Sequence, residues 1–362
     1  MTKFENITAC ILSYNRCDDL RLTLEAVCAI DGLRVMVIDN ASTDGTRAML
    51  ANEFGVAPGL SPGLHDVAPS GLGEGEEMPP VSLTPGLRPG LYDVAPSGLI
   101  TSSRPHPSSS AGADYAVINV LFLDANVGIA ARNIFFEEVE TEFLLTLDDD
   151  SWPRGAEDVE RMLRTMESDE RIASVCAACI HPDTGVAETE GIERFASGGS
   201  ADSGYDVVNI AAGGSLLRMS ALRETRGYGE EFFWGREEND LSFQLLQRGW
   251  RIVFDPRAVI WHSLSPTGRL VYRRLQYVTR NSFWLLWKYF PLTVALPASL
   301  IFALRRLLPV VKDPRRAAPV FRGIASGYAG MSARRRLSHG SCRFTLRESW
   351  SLRGWFFKLF YE

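Results

Sequence analysis

The chain has 362 residues, of which 46% are hydrophobic and 23% charged, the ordinary balance of a globular protein with a sizeable core. The net charge of −6 hides an asymmetry, because residues 263–362 carry 18 basic and 3 acidic residues and residues 1–262 carry 20 basic and 41 acidic ones. The six scattered cysteines exclude a disulfide framework, and the first residues show no signal-peptide pattern, so a reducing cytoplasm is expected.

The N-terminal part of the chain alternates between strand and helix patterns. Residues 7–13 form a short β-rich apolar run, a helical spacing of leucines follows, and residues 33–39 predict a second strand. The polar segment 40–46 then has the composition of a loop and a helix cap. This alternation favours βαβ units and a parallel sheet, with functional loops at the carboxyl ends of the strands.

Residues 57–113 interrupt this pattern with a segment rich in Pro, Gly and Ser. An internal repeat lies within it, because Pro62–Leu72 recurs almost unchanged as Pro89–Leu99. Two copies are too few for a solenoid, and this composition buries too little apolar surface to offset the entropy of ordering. We expect a flexible surface insertion, and a binding role for it is the less favoured alternative.

Strand patterns resume at residues 117–123, and a later apolar run, Phe143–Leu147, ends in three consecutive aspartates, Asp148, Asp149 and Asp150. Carboxylates this close together resist joint ionisation unless a cation lies among them. Hard oxygen ligands at one point suit Mg²⁺ or Mn²⁺, particularly when a phosphate completes the coordination shell. The alternative is an acidic turn before a helix, since Ser151–Pro153 could cap one.

The second half of the chain continues with a helix pattern near residues 155–167 and a strand pattern at 173–180. Cys176 and Cys179 have redox or zinc spacing, but their apolar surroundings favour a place in the core of this strand. A glycine-rich segment with Gly213 and Gly214 precedes a helix-like run at residues 216–223.

An aromatic and acidic segment follows at residues 232–240 and leads into a helix that reaches residue 248. Short strands are then predicted at residues 251–254 and 259–262, the second of which ends in His262. A histidine at the end of a late β-rich run is a candidate third ligand for the metal of Asp148 and Asp150, and a satisfied core histidine is the alternative.

The basic tail, residues 267–362, combines arginine clusters with aromatic residues. Its most apolar run, from residue 283 to 304, is broken by Lys288, Pro291 and Pro297, which favours an interfacial helix over a membrane-spanning one. This pattern suits an anionic membrane surface. Nucleic-acid binding is not expected, because no recognised module is present, and a solvated basic face without a partner remains the other alternative.

By their order, seven motifs resemble the family 2 glycosyltransferases of the GT-A fold, in particular the bacterial branch with rhamnosyl- and galactofuranosyl-transferases. The resemblance covers residues 7–54 and 117–290, with the repeat segment as an insertion. The motifs are Ile11–Arg16, Val37–Thr46, Asn126–Gly128 with Arg132 and Asn133, Leu147–Asp150, Glu237–Leu241, Arg248–Arg251 and Val259–His262.

The resemblance implies an α/β, GT-A type nucleotide-sugar-binding fold with a mostly parallel central sheet flanked by helices, followed by a helical basic and apolar tail. Residues 1–56 and 114–266 would form the glycosyltransferase domain, with its nucleotide-sugar half ending near residue 150. Residues 57–113 would be the insertion, and residues 267–362 a membrane-associating tail.

The resemblance also assigns roles to the residues of the motifs. Asp39 would contact the base, Asp148 the ribose and Asp150 the metal, and Asp148 and His262 are further candidate metal ligands. The remaining residues expected to bind the nucleotide sugar are Ser13, Tyr14, Asn15, Arg16, Asn126, Gly128, Arg132, Asn133 and Asp149.

Transfer with inversion needs a base that takes the proton of the acceptor hydroxyl. Glu238 occupies the position of this base in the resembled family, with Glu237 and Asp240 as neighbouring catalytic candidates. An acidic helix N-terminus is the alternative interpretation of this run, and the two are compatible. Trp234 could stack on a sugar, and with Gly213 and Gly214 it is assigned to the acceptor site.

The sequence thus predicts a cytoplasmic enzyme, peripheral on the inner face of the cell membrane, that extends a surface glycan. It would use Mg²⁺ or Mn²⁺ to move a sugar from a nucleotide-diphosphate donor to a glycan or polyprenyl-linked acceptor. A sugar-phosphate nucleotidyltransferase is the alternative enzyme, although Ser13–Arg16 replaces the glycine-rich phosphate loop such enzymes carry after the first strand. A catalytically inactive sugar-binding module is the third possibility.

Overall fold

The computed structural model describes residues 3–56, 100–105, 115–189, 192, 196–211, 213–264, 271–337 and 344–345. Its strands are β1 (Ile7–Ser13), β2 (Arg34–Asp39), β3 (Ile100–Pro105), β4 (Tyr115–Phe122), β5 (Phe143–Asp148), β6 (Ser151–Pro153), β7 (Ile172–Ile180), β8 (Gly198–Ser200), β9 (Gly204–Val207), β10 (Ser215–Arg218) and β11 (Arg251–His262). Its helices are α1 (Cys17–Cys28), α2 (Thr46–Phe54), α3 (Asn133–Glu138), α4 (Ala156–Glu167), α5 (Met219–Arg223), α6 (Glu237–Gln247), α7 (Val271–Tyr289), α8 (Leu292–Lys312) and α9 (Ala317–Leu337).

The described strands form one sheet in the order β3-β4-β2-β1-β5-β10-β7-β11-β9-β8, and β6 pairs with β11. The strands β4, β2, β1 and β5 are parallel neighbours, as are β7 and β11. β10 runs antiparallel between β5 and β7. This mostly parallel arrangement confirms the predicted α/β class and brings the carboxyl ends of β1, β2, β5 and β11 to one edge.

Helices cover both faces of the sheet because its central strands are apolar on both sides. Side chains of α1, α2 and α4 pack with one set of strand residues, including Ile7, Ala9 and Ile11. Side chains of α3, α5 and α6 pack with the opposite set, which includes Cys10 and Leu144. Successive residues of a strand point to opposite faces, so near-continuous apolar runs fill both layers.

The helix-like interpretation of residues 216–223 is wrong in its first half. Residues 215–218 form β10, and only Met219–Arg223 is helical. An apolar run this short has no period that separates a buried strand from a buried helix, and pairing on both sides selects the strand.

The strand patterns at residues 251–254 and 259–262 belong to one strand, β11, with an irregularity between Asp255 and Val259.

Cys176 and Cys179 lie in β7 as buried free cysteines, which confirms their place in the strand core. They belong to the apolar layers on opposite faces of the sheet, because three positions along a strand reverse the side chain. Burial raises the pKa of both thiols.

Part of the predicted insertion belongs to the sheet, and the start of the predicted tail packs on the body. Residues 100–105, assigned to the insertion, form β3, which pairs antiparallel with β4 at the edge of the sheet. Residues 57–99 and 106–114, including both repeats, lie outside the described residues. In the tail, α7 packs against the body, where Phe283 and Phe290 share an apolar cluster with Phe232 and Phe243.

The helix α8 continues through Pro297 and Pro309. Among the helices of the described residues, α8 is the one long and apolar enough, by length and composition, to cross a membrane. The apolar run is interrupted at Pro291, as predicted, because Pro291 separates α7 from α8. Pro297, which was also expected to break the run, lies inside α8 and does not end the helix.

Candidate active site

The candidate site is built where the strand ends meet. Ser13, the last residue of β1, pairs in register with Asp39 at the end of β2. On the other side of β1, Leu12 pairs with Asp148 at the end of β5. His262 ends β11 and pairs with Ser151 of β6, which directly follows the three aspartates. The sheet register therefore places residues from distant parts of the sequence along one edge.

Asp148, Asp150 and His262 converge so that one ligand atom of each lies within 4.8 Å of the other two. His262 Nε2 is 3.1 Å from Asp150 Oδ1 and 3.9 Å from Asp148 Oδ2. The other ring nitrogen, Nδ1, lies 2.6 Å from Glu188 Oε1. A carboxylate behind a metal-binding imidazole orients the ring and increases its basicity. The sequence did not point to Glu188, because no local pattern places it near β11.

The residues of this cluster fit a divalent cation. Two carboxylates and an imidazole are an O,O,N donor set suited to Mn²⁺ or Mg²⁺, and their separations leave room for one ion between them. Gly213 lies beside this space, because a Cβ on it would be 3.0 Å from Asp148 Oδ2 and 3.7 Å from His262 Cε1. Gly213, predicted to contact the acceptor, thus borders the metal-ligand cluster.

Arginines neutralise the acidic cluster from two sides. Arg16 Nη1 donates to Asp150 Oδ2 at 2.8 Å and to Asp149 Oδ1 at 3.2 Å. Arg132, 2% exposed, bonds Thr146 and Asp148. Both arginines were predicted to bind the nucleotide sugar, and the structure brings both to the aspartates.

Asp149, Asp150 and His262 have shifted pKa values. Burial raises the pKa of Asp150, but hydrogen bonds and charges from His262 and Arg16 outweigh burial and hold that pKa well below its usual range. Burial lowers the pKa of His262, but the bonds to Asp150 and Glu188 outweigh it and raise the pKa to about 10. Burial and the neighbouring aspartates raise the pKa of Asp149 to about 7, against the opposing charge of Arg16.

The loops after β1, β2 and β4 are joined by polar contacts. Asn15, at a φ of 55°, donates its backbone N–H to Ser42 and accepts at its side chain from the N–H of Thr43. Asn40 donates to Asn126 and to the carbonyl of Gly128. These contacts hold the predicted donor-binding loops together, and Asn40 is a loop-bridging residue that the sequence did not single out.

Among the predicted donor-binding residues, Asp39 is the most buried and Tyr14 the most exposed. Asp39 is fully buried, and its carboxylate accepts from the N–H of Ser42 and from Arg47 Nε. Tyr14 is 44% exposed. A side chain this exposed at the rim of the site is free to contact a ligand that enters it.

Asn133 has a role in the fold. Its amide donates to the carbonyl of Tyr228 and accepts from the N–H of the same residue. Both of these bonds tie the start of α3 to the loop before α6. The assignment of Asn133 to donor binding stays a prediction, and in this structure its amide binds the Tyr228 backbone.

Glu237 and Glu238 begin α6, and both interact electrostatically with Arg132 and Asp148. Glu238 is half-buried, whereas Glu237 is 2% exposed and its Oε2 has no hydrogen-bond partner among the described residues. Burial raises the pKa of both carboxyls. A carboxyl with a raised pKa is well suited to accept a proton near neutral pH, and of the two Glu238 is the more accessible.

Asp240 is the third predicted catalytic carboxylate, and in the structure it binds residues of α7. Its Oδ1 accepts from Lys288 Nζ at 2.7 Å and from the Tyr289 hydroxyl at 2.8 Å, and its Oδ2 accepts from Gln244. This buried carboxylate joins α6 to α7, and its catalytic assignment stays a prediction. Of the predicted acceptor residues, Trp234 is half-buried, and Gly214 packs against Ile260, where a Cβ would lie 2.8 Å from Cγ1.

Comparison with known proteins finds a family model that matches part of the chain. Residues 108–226 match the family model of glycosyl transferase family 2. Among curated proteins, none has a sequence that matches the chain.

Two solved structures share the fold at low sequence identity. The mannosyltransferase PcManGT from Pyrobaculum calidifontis, in complex with GDP-Man and Mn²⁺, aligns over 98% of this chain and 85% of its own, with 13% identity and a TM-score of 0.53. GalNAc-T7, with UDP, GalNAc and Mn²⁺, aligns over 84% of this chain and 52% of its own, with 12% identity and a TM-score of 0.52. Residues 108–226 therefore match glycosyl transferase family 2, and the chain shares the GT-A fold of these two glycosyltransferases.

Proposed function

We propose that this protein is an inverting, divalent-metal-dependent glycosyltransferase that moves a sugar from a nucleotide-diphosphate donor to a glycan or polyprenyl-linked acceptor. The observation that carries the proposal is the convergence of Asp148, Asp150 and His262 at the carboxyl edge of the sheet. The Mn²⁺ and nucleotide sugar in the PcManGT structure, and the Mn²⁺, UDP and GalNAc in the GalNAc-T7 structure, support it.

Asp148, Asp150 and His262 would hold Mn²⁺ or Mg²⁺, which would neutralise the charge of the diphosphate leaving group. Arg16 and Glu188 fix the positions of Asp150 and His262 through the contacts described above. The loops Ser13–Arg16 and Asn126–Gly128 would enclose the nucleotide, and exposed Tyr14 is available at their rim.

Glu238 would act as the base of the reaction. Its carboxylate would take the proton of the acceptor hydroxyl as that oxygen forms a bond to the anomeric carbon. The bond from the anomeric carbon to the diphosphate oxygen would break on the opposite side, and the nucleoside diphosphate would leave. Attack on the face opposite the leaving diphosphate inverts the configuration at the anomeric carbon. The greater accessibility of Glu238 supports this role over Glu237, and its raised pKa suits proton transfer near neutral pH.

Binding and turnover test the function in sequence. Thermal-shift measurements with UDP, GDP and dTDP sugars, with and without Mn²⁺ or Mg²⁺, should show metal-dependent stabilisation, because a ligand of the native state raises the melting temperature. Nucleoside diphosphate release should then follow with the stabilising donor, through transfer or slow hydrolysis. Binding without any release would favour an inactive sugar-binding module, and release of pyrophosphate from a nucleoside triphosphate and a sugar phosphate would favour a nucleotidyltransferase.

We propose further that the enzyme works at an anionic membrane surface, on the cytoplasmic side. Five leucines, four residues apart, lie exposed along α8, and we call them the α8 leucine stripe: Leu292, Leu296, Leu300, Leu304 and Leu308. Basic residues accompany the stripe in α8 and in the turn that follows it, among them Arg305, Lys312 and Arg315. Apolar residues beside arginine and lysine are the combination that binds the boundary of an anionic bilayer.

We also propose that the enzyme transfers rhamnosyl or galactofuranosyl groups in surface polysaccharide synthesis.

A further inference from the structure

The segment just before Glu237 has an unusual backbone. Phe233 has a φ of 57° and a ψ of −52°, and the N–H of Trp234 donates to the carbonyl of Phe232 at 2.6 Å. These values describe a γ-turn with positive φ, which is rare and strained. Gly235 and Arg236 follow with φ values of 84° and 74°. Such conformations are energetically costly for a residue other than glycine and persist only where their surroundings hold them.

Two buried side chains of α7 hold this segment through its carbonyl groups. Asn281 Nδ2 donates to the carbonyls of Phe232, Trp234 and Gly235. Arg280 Nη2 donates to the carbonyls of Glu231 and Phe232, both at 3.0 Å. Asn281 is fully buried and Arg280 is 8% exposed. We call these two residues the α7 clamp.

The α7 clamp is itself fixed in place. Arg280 Nε donates to Asn281 Oδ1 at 2.9 Å, so the amide is oriented with its nitrogen towards the loop. The guanidinium lies over the rings of Tyr277 and Trp284, at 4.9 and 4.2 Å from their centroids. Gly235 passes so close to α7 that a Cβ would lie 2.8 Å from Val278 Cγ2.

The clamped segment connects both halves of the candidate site. On its donor side, the carbonyl of Phe233 accepts from the N–H of Ile129, and a Cβ on Gly128 would lie 2.5 Å from the Phe233 oxygen. On its acceptor side, the segment contains Trp234 and is followed directly by Glu237 and Glu238. A shift of this segment would therefore move the base relative to the donor loop.

We infer that Arg280 and Asn281 are positioning residues, which hold the strained 232–236 segment so that Glu238 faces the acceptor hydroxyl. The inference rests on the proposed function, because it assumes that Glu238 is the base. The clamp acts through the loop and touches no reacting atom. A small displacement of a catalytic group reduces the rate far more than it reduces donor binding, since the donor is held by other loops.

Asn281→Ala and Arg280→Lys in the full chain test the inference, with Ser282→Ala as the matched control. Ser282 is the next residue of α7, is fully buried, and its hydroxyl bonds only within the helix, to the carbonyl of Val278. We expect Asn281→Ala to lower kcat for transfer by about a hundredfold, the order expected for a misplacement of about 1 Å. Arg280→Lys keeps a charge and a hydrogen-bond donor, so its kcat should lie between those of Asn281→Ala and the wild type. Ser282→Ala should have the kcat of the wild type.

Two further measurements separate positioning from simple destabilisation. Stabilisation by UDP, GDP or dTDP with Mn²⁺ should be unchanged in the variants, and hydrogen exchange of peptides covering residues 229–240 should be faster in Asn281→Ala than in Ser282→Ala. Equal kcat values for the α7 variants and the control, unchanged exchange, or an equal loss of nucleotide binding would overturn the inference. If the wild-type enzyme releases no nucleoside diphosphate from any donor, the proposed function has failed instead, and the exchange measurement still decides whether the clamp holds the loop.

Discussion

Asp150 is the residue on which the acidic cluster depends, because its two carboxylate oxygens bind different partners. Oδ1 lies 3.1 Å from His262 Nε2, and Oδ2 accepts from Arg16 at 2.8 Å. The side chain is 1% exposed. Removing its charge therefore removes a metal ligand and also leaves an arginine and a histidine partly uncompensated.

We expect Asp150→Asn to abolish Mn²⁺-dependent stabilisation by nucleoside diphosphates, because an amide replaces a hard anionic ligand. Asp158→Asn is the matched control, since Asp158 is also 1% exposed and bonds Arg154 and the N–H of Val259, away from the cluster. Both variants should lose stability, and only the first should lose the metal-dependent shift, read by thermal denaturation. A full shift in folded Asp150→Asn would remove Asp150 from the ligand set.

His262 should make metal binding depend on pH. In the metal-free protein its pKa is raised to about 10, so it carries a proton near neutrality that a metal ion must displace. Mn²⁺ affinity should therefore rise with pH, by up to about tenfold per unit between about pH 6 and pH 8, if one proton is released. Calorimetry in buffers of different ionisation enthalpy measures that proton directly. In His262→Gln the proton release should disappear, and its persistence there would assign it to another group.

The same shift has a consequence for stability. A folded-state pKa raised above the unfolded value of about 6.5 contributes stability that is complete below that value and is lost as pH rises towards 10. The metal-free protein should lose this contribution on the alkaline side, and bound Mn²⁺ should offset the loss.

Glu238 is expected to carry the proton transfer. Glu238→Gln keeps the shape of the side chain but cannot accept a proton, so transfer should fall by roughly two to four orders of magnitude while nucleotide and metal binding persist. Glu237→Gln, at a side chain that is 2% exposed, should reduce transfer less. Initial rates of nucleoside diphosphate release measure both variants. The reverse ranking would assign the base to Glu237.

The residues Glu238 and Asp240 show where local sequence stops being informative. An acidic run at a helix start predicts carboxylates near a site, but two positions along a helix rotate a side chain by about 200°. Glu238 therefore stays near Asp148, while Asp240 points to Lys288. Lys288, which donates to Asp240, lies 48 residues further along the chain. The sequence alone therefore could not show that this carboxylate is hydrogen-bonded to α7.

At the scale of elements, strands that carry function were predicted well and edge strands poorly. β1, β2 and β5 are apolar on both faces and end in polar motifs, which marks both their position and their direction. By contrast, β3 was assigned to the insertion, because the segment Ile100–Pro105 is short and lies among Ser and Pro residues. An edge strand is specified mainly by the partner that it pairs with, in this case β4.

The pairing of β3 changes how the insertion can be removed. Deletion of residues 58–97 with a short Gly/Ser replacement should change the free energy of unfolding by about 1 kcal/mol or less, because closure entropy varies slowly with loop length. Deletion of residues 58–112 also removes β3, leaves the edge of β4 unpaired, and should increase aggregation. Urea denaturation and size-exclusion chromatography of both variants measure this. Equal behaviour of the two deletions would show that β3 contributes little, and failure of the shorter one to fold would show that the repeats pack on the body.

Over the whole molecule, residues 267–362 were predicted as a membrane-associating tail, with the family resemblance reaching residue 290, and α7 packs on the body that carries the candidate site. α7 provides Lys288 and Tyr289 for Asp240 and packs along α9. A truncation after Tyr289 would strip α9 from α7, so it would test folding as well as membrane binding. Substitutions on the exposed surface of α8 separate the two.

We expect Leu296→Glu together with Leu300→Glu to reduce co-sedimentation with phosphatidylglycerol vesicles, because charge in the α8 leucine stripe opposes insertion. Leu22→Glu, on α1, is the matched control, since Leu22 and Leu296 are both 54% exposed. Raised salt should weaken binding of the wild type, since attraction of basic residues to anionic lipid is screened. Equal sedimentation of the double variant and the control, or binding indifferent to salt, would contradict a membrane role for this surface.

The contact between Asp150 and His262 joins residues 112 positions apart, and the α7 clamp lies later still in the chain. Contacts of such long sequence separation form late in folding, because loop-closure entropy must be overcome first. A nascent chain that has just exposed β5 would hold three neighbouring aspartates without the histidine that completes their cluster. The cluster of Asp148, Asp150 and His262 can therefore be complete only after β11 has left the ribosome, and the 232–236 segment can be held in place only after α7 has followed.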